Sequence, residues 1–212
     1  MKISFFNHFA PLVPVALLTL TLALSGCNEY LSVPEPGGFS DEILNIIPQS
    51  KIDSLRSLGI PIYEGRTPPE VLGSYFVNPY VLVVPWSDND NYYIGRSIGS
   101  YTYTFYNFDT QNNTLRVDFK SSTGSESGTG LGGIVSGKDS SFTIFIELKG
   151  VSGGVENTTV TVLAGKISPD GIFDFYNAFY LKEKSEGSGL GTLIPVGTGR
   201  VWKDEDGFSE KI

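Results

Sequence analysis

From Gly73 onward, hydrophobic residues recur at every second position. Leu115, Val117 and Phe119 alternate with Thr114, Arg116, Asp118 and Lys120, and Phe142, Ile144, Ile146 and Leu148 alternate with Ser141, Thr143, Phe145, Glu147 and Lys149. A period of two puts each set on its own face of an extended chain, which predicts half-buried strands. Eight are predicted, over 73–84, 100–108, 114–120, 129–136, 141–149, 158–167, 172–182 and 198–203. Short turns such as Gln111-Asn112-Asn113, Gly137-Lys138-Asp139 and Pro169-Asp170-Gly171 join most of them, which implies antiparallel neighbours. The expected fold is all-β: an eight-stranded antiparallel up-and-down barrel, whose closure leaves no free edge, with a β-sandwich as the alternative.

Ahead of the strands the spacing turns helical. Residues 48–58 carry Pro48 in the first turn, Ile52, Leu55 and Leu58 along one stripe, and Gly59 as a stop, which predicts a short helix packed on the domain. Ser40-Asp41-Glu42 suits the cap of a shorter helical turn. Residues 28–39 hold Pro34, Pro36, Gly37 and Gly38 with no periodicity and read as a tether.

The first residues have the layout of a secretory signal: Lys2, an uncharged run over 11–24, then small residues. The run is shorter than the roughly 20 residues a spanning helix needs, and Pro11 and Pro14 interrupt it. Leu24-Ser25-Gly26-Cys27 resembles the lipobox of bacterial lipoprotein signal peptides, and the chain's single cysteine stands where that motif requires one. The resemblance implies residues 1–26 as signal peptide, Cys27 acylated, palmitate included, and a tether over 27–39. Residues 40–212 then form a single β-rich domain with an N-terminal helix. The expected location is the cell envelope, lipid-anchored at the outer membrane; Glu29 alone does not fix the periplasmic or surface face.

Removing residues 1–26 leaves 186 residues, enough for one sizeable core. It also removes Lys2 and His8, so 14 basic residues face 23 acidic ones, a net charge of −9. That balance argues against nucleic acid or anionic lipid as partners, since both reward clustered Lys and Arg. His8 is the only histidine and Met1 the only methionine. The exported domain therefore excludes Ser-His-Asp and Cys-His catalysis, Cys or His zinc sites, and haem held through His, Cys or Met. Carboxylate, Tyr or Lys chemistry, oxygen-ligand metals and plain binding stay open; no cofactor is expected.

Gly73-Ser74-Tyr75 at the head of the first strand, after a helical segment, and Arg200 in the last strand resemble the layout of lipocalin-like calycin barrels over 59–202. The resemblance implies barrel closure by Arg200 stacking on Tyr75, which stands where those proteins usually have Trp. A closer resemblance is to a group of envelope lipoproteins of similar length. It rests on 58–65 (Leu-Gly-Ile-Pro-Ile-Tyr-Glu-Gly), 68–75 (Pro-Pro-Glu-Val-Leu-Gly-Ser-Tyr) and the tail 203–210, and brings no assigned activity.

Several motifs carry candidate chemistry. Gly128, Gly130 and Gly133 fit the letter of a dinucleotide fingerprint, and 132–138 almost fits a phosphate loop. A strand follows where both motifs need a helix N-terminus, so a bulge or bend is expected. Asp204, Asp206 and Glu210 are weak calcium candidates, as are Asp88 and Asp90, although the EF-hand register fails at Trp202. Glu147, Asp174 and Asp118 are candidate carboxylates for glycoside hydrolysis, but alternation places them on outward faces, where nothing raises a pKa. The richer signal is aromatic. Tyr101, Tyr103 and Phe105 share one face of a strand, and Phe173, Phe175 and Phe179 share a face of another with Asn177 and Leu181. Rings with one amide suit a small apolar or amphipathic ligand. The expected function is a non-catalytic, lipid-anchored binding protein, with a structural or interaction module contacting protein or glycan as the alternative.

Overall fold

In the computed structural model, residues 38–186 and 193–212 are described. The predicted signal peptide, its Leu24, Ser25 and Gly26, the anchor Cys27 and most of the tether lie outside them.

The alternating segments form one sheet. Its strands are β1 (Arg66–Thr67), β2 (Gly73–Val77), β3 (Tyr80–Val84), β4 (Tyr101–Asp109), β5 (Thr114–Ser121), β6 (Glu126–Lys138), β7 (Ser141–Ser152), β8 (Val155–Ile167), β9 (Gly171–Lys184), β10 (Gly199–Asp204) and β11 (Phe208–Lys211). From β4 to β9 each strand pairs antiparallel with the next, β2 pairs with β4, and β11 joins β9 to β2. Eight strands thereby close into a ring. β10 and β3 branch from it: β11 takes 171–173 of β9, whereas β10 takes 176–180 and carries β3 on its far side. Among the described residues only β1 is parallel, against β6.

The all-β expectation and the antiparallel meander stand; three details differ, the first being the two-residue β1, too short to show alternation. The predicted strand 73–84 breaks at Asn78-Pro79 into β2 and β3, because Pro79 has no N–H for a ladder. β11 was not predicted, because four residues with one large apolar side chain carry too little alternation to be seen.

Helices α1 (Asp41–Ile46) and α2 (Gln49–Ser57) lie on the outside of the sheet. Ser40 caps α1 with its hydroxyl, and Pro48 precedes the first turn of α2. Their Ile43, Ile47 and Ile52 pack on Phe145, Val160, Val162, Ala178 and Val201, the outward side chains of β7 to β10. This explains why Phe145 breaks the polar set of its strand: its outward face is covered.

Glycines 128, 130 and 133 serve packing rather than phosphate. The pairing of β6 shifts between Thr129 and Ile134, and Gly132 at its apex takes a left-handed conformation. A Cβ on Gly130 would stand 2.5 Å from Ile146 Cδ1 and 2.6 Å from Leu148 Cδ2, so the backbone itself forms the wall those side chains press on.

A second bulge has a larger consequence for the interior. Asp174, at φ 51°, inserts an extra residue between the pairs Ala164–Tyr176 and Lys166–Phe173. Parity reverses there, so Phe173 faces outward, 48% exposed, with its ring 4.7 Å from Phe208, while Phe175 is buried inside. The inward assignment of Phe173 is corrected on this ground: strict alternation cannot register an added residue.

Among the described residues, the sheet pairings and both apolar clusters fall within Pro36–Ile212, one compact unit, so a chain starting at Asn28 carries all of this core.

Candidate ligand-binding cavity

The interior of the ring divides into two halves. Tyr75, Phe105, Val117, Phe142, Ile144 and Phe175 fill one half, all essentially inaccessible. Tyr103 is the partition, its ring 6.5 Å from Phe105, 5.1 Å from Phe175 and 5.8 Å from Phe119. Beyond it lies a cavity of about 110 Å³. An apolar void of roughly 150 Å³ accommodates benzene, so this one takes a small ring or short chain. Its lining includes Tyr101, Tyr103, Phe119, Phe179 and Trp202, together with Gly150, Val151, Ser152, Leu193 and Ile194.

One polar chain crosses the partition. Tyr80 and Tyr103 share a hydrogen bond of 3.1 Å between hydroxyls, and Asn177 Nδ2 donates to the Tyr103 hydroxyl at 2.8 Å. Asn177 is only 8% exposed, and its Oδ1 has no hydrogen-bond partner among the described residues. Turning the amide over would exchange an unpaired acceptor for unpaired donors, so one pole of Asn177 stays unpaired in either orientation. A buried polar group left alone costs about 1–3 kcal/mol. Burial pushes the Tyr80, Tyr101 and Tyr103 hydroxyls well above their ordinary pKa, with the Glu126 charge adding to the shift at Tyr101, so all three stay protonated. The Tyr101 hydroxyl donates to Glu126 Oε2 at 2.7 Å.

Arg200 also reaches the cavity wall, held from behind by the loop between β3 and β4. Its Nε donates to Asp90 Oδ2 at 2.9 Å and its Nη2 to Asp90 Oδ1 at 2.5 Å and to Asn91 Oδ1 at 2.9 Å. The pair is buried, with side chains 8% and 1% exposed. Burial pushes the Asp90 carboxyl up, but hydrogen bonds from Arg200 and from the N–H groups of Trp86 and Tyr92 outweigh it and hold its pKa below the usual range. The guanidinium lies 4.3 Å from the centre of the Tyr92 ring.

No protein-family model, curated protein or solved structure matches this chain.

Of the predicted ligand residues, the fold brings Tyr101, Tyr103, Asn177 and Phe179 together around the cavity. Phe105 and Phe175 belong to the filled half, and Phe173 to the outer surface. The expected stack of Arg200 on Tyr75 is replaced by one on Tyr92: Tyr75 packs on Phe105 with centroids 5.8 Å apart, and its hydroxyl donates to the Leu72 carbonyl. Alternation could not locate Tyr92, which stands in a loop without periodicity. Nor could it reach Glu126, in a Gly- and Ser-rich stretch with no apolar signal, or Trp202, the lone ring of a short strand.

The other candidates are dispersed. Glu147 pairs with Lys182 and Asp174 with Lys166 on exposed surface. Asp118 accepts hydrogen bonds from Tyr106 and Thr129. Asp90 is taken up by Arg200, and Glu210 is exposed. Among the described residues, no group of three or more carboxylate, His or Cys side chains could hold a metal ion.

Asp204 is buried at 2% exposure, accepts the Ser209 hydroxyl at 2.7 Å through Oδ2, and has no partner for Oδ1 among the described residues. Burial, reinforced by the Asp206 charge and opposed by the Ser209 hydroxyl, pushes its carboxyl up to about 6. The folded state thus binds this proton more tightly than the unfolded one, so the stability Asp204 contributes is fully present below about pH 4 and is lost as pH rises through about 6. Asp204→Asn keeps an acceptor for Ser209 and cannot ionise. It should raise Tm by about 2–6 °C at pH 8 and leave it nearly unchanged at pH 4. An equal gain at both pH values in thermal scans would remove the titration account.

Proposed function

We propose that this protein is a non-catalytic, lipid-anchored binding protein of the cell envelope, holding a small apolar or amphipathic molecule inside an eight-stranded, lipocalin-like barrel. The supporting observation is Asn177: a buried amide with an unpaired pole, set among rings at the wall of a cavity large enough for a small ring. A solid core would give such a group a backbone partner. The anchor rests on the lipobox at 24–27, and labelling with a fatty-acid analogue should be lost in Cys27→Ser.

Trp202 lines the cavity and Trp86 is the only other tryptophan, so Trp86→Phe leaves one reporter. In residues 28–212 carrying that change, phenol, toluene or cyclohexanol should alter the Trp202 fluorescence saturably, and Thr161→Phe, which fills the cavity wall, should abolish the response while the far-UV spectrum is retained. Absence of saturable binding by all three would favour the second reading, an interaction module. That reading is supported by the adjacent Tyr93 and Ile94, which are 69% and 68% exposed.

A further inference from the structure

The cavity wall is rich in groups that attract positive charge. Tyr80, Tyr101, Tyr103, Phe119, Phe179 and Trp202 surround a volume of about 110 Å³. With Tyr92, which already stacks with Arg200, seven aromatic rings line so small a space, and a ring face favours a cation within about 6 Å of its centre. Glu126 stands in the same wall, its carboxylate accepting from the neutral Tyr101 hydroxyl and having no cation in contact with it among the described residues. The one basic side chain of the wall, Arg200, has its charge matched by the two carboxylate oxygens of Asp90 and a further acceptor on Asn91. It therefore offers little to an anion, whereas Glu126 repels one. Asn177 lies in the same wall, with its Oδ1 buried and without a partner among the described residues. The protein's net charge of −8 adds a long-range field of the same sign.

A neutral ligand would use the rings and Asn177 and leave the Glu126 charge with no counter-charge, only the Tyr101 hydroxyl. An anionic ligand would oppose Glu126 and compete with Asp90 for Arg200. We infer that the cavity takes a small organic ammonium that carries a hydrogen-bond donor, with the cationic group against the aromatic wall and Glu126, and the polar end toward Asn177. The inference rests on the binding reading above and narrows its ligand class.

The test compares choline with 3,3-dimethylbutan-1-ol. The two share shape, size and hydroxyl donor and differ in the charge of one central atom. Calorimetric titration of residues 28–212 at pH 7 should find choline bound at least about tenfold more tightly than the neutral isostere, a ratio within the range that ring and carboxylate contacts to a desolvated cation supply. Glu126→Gln should lower the choline affinity by about tenfold and leave the alcohol unchanged. Asn177→Leu should weaken both. Equal or tighter binding of the alcohol, or an unchanged choline affinity in Glu126→Gln, overturns the inference. If phenol or toluene binds and choline does not, the ammonium inference fails and the binding protein stands; if none of them binds, both fail.

Discussion

Removing either partner of the Asp90–Arg200 pair should cost about 3–5 kcal/mol of stability, because each single change leaves a buried charge without its counter-ion. Asp90→Ala also strips the acceptor from the N–H groups of Trp86 and Tyr92, so the loop between β3 and β4 loses its internal order along with its tie to β10. The stacking of Arg200 on Tyr92 is the smaller contribution, about 0.5–2 kcal/mol, so Tyr92→Leu should be milder than either. The double variant Asp90→Ala with Arg200→Met removes both charges and keeps an apolar stem on the ring, and it should recover part of the loss. Urea unfolding at pH 7 measures all four. Losses under about 1 kcal/mol for both single variants would show that the pair is solvated and that the loop stands on other contacts.

This ion pair also shows where a sequence is silent. Asp90 and Arg200 lie 110 residues apart, one in an aperiodic loop and one in a strand, and nothing local marks them as partners. The sequence alone reads Asp90, with Asp88, as a weak calcium candidate in a polar stretch. The strands themselves were legible, because a half-buried sheet imposes period two on its residues and most of these strands are long enough to show it. The helices were legible for a related reason: Ile52 and Leu55 keep helical spacing, and Phe145, Val160 and Val162 supply the apolar outer face they cover. Half of the cavity was legible too, since Tyr101 and Tyr103 on β4 and Asn177 and Phe179 on β9 keep their parity up to the wall. What failed was parity across an inserted residue, at Asp174, and the partition of the interior into a filled and an open half. That partition depends on which rings meet across the ring of strands, information that no single strand contains.

The bulge at Asp174 sets the second large effect. Strict alternation would put Phe173 and Phe175 in the same core and give their truncations similar costs. In the fold, Phe175 stands against the partition ring Tyr103 with no access to solvent, whereas Phe173 rests on Phe208 at the surface. Phe175→Ala should therefore cost about 3–5 kcal/mol, toward the low end if Tyr103 moves into the space. Phe173→Ala gives up only part of an exposed ring and should cost under about 1 kcal/mol. Phe179→Ala, at the cavity wall and already next to open space, should fall between the two. The removed Phe175 ring adjoins the floor of the cavity, so that variant should also bind ligands larger than phenol that the parent rejects, provided Tyr103 keeps its place through Tyr80 and Asn177. Equilibrium unfolding of the three variants beside the parent gives the order directly. Equal losses for Phe173→Ala and Phe175→Ala would mean that β9 runs without the bulge and that the interior is arranged differently from the account above.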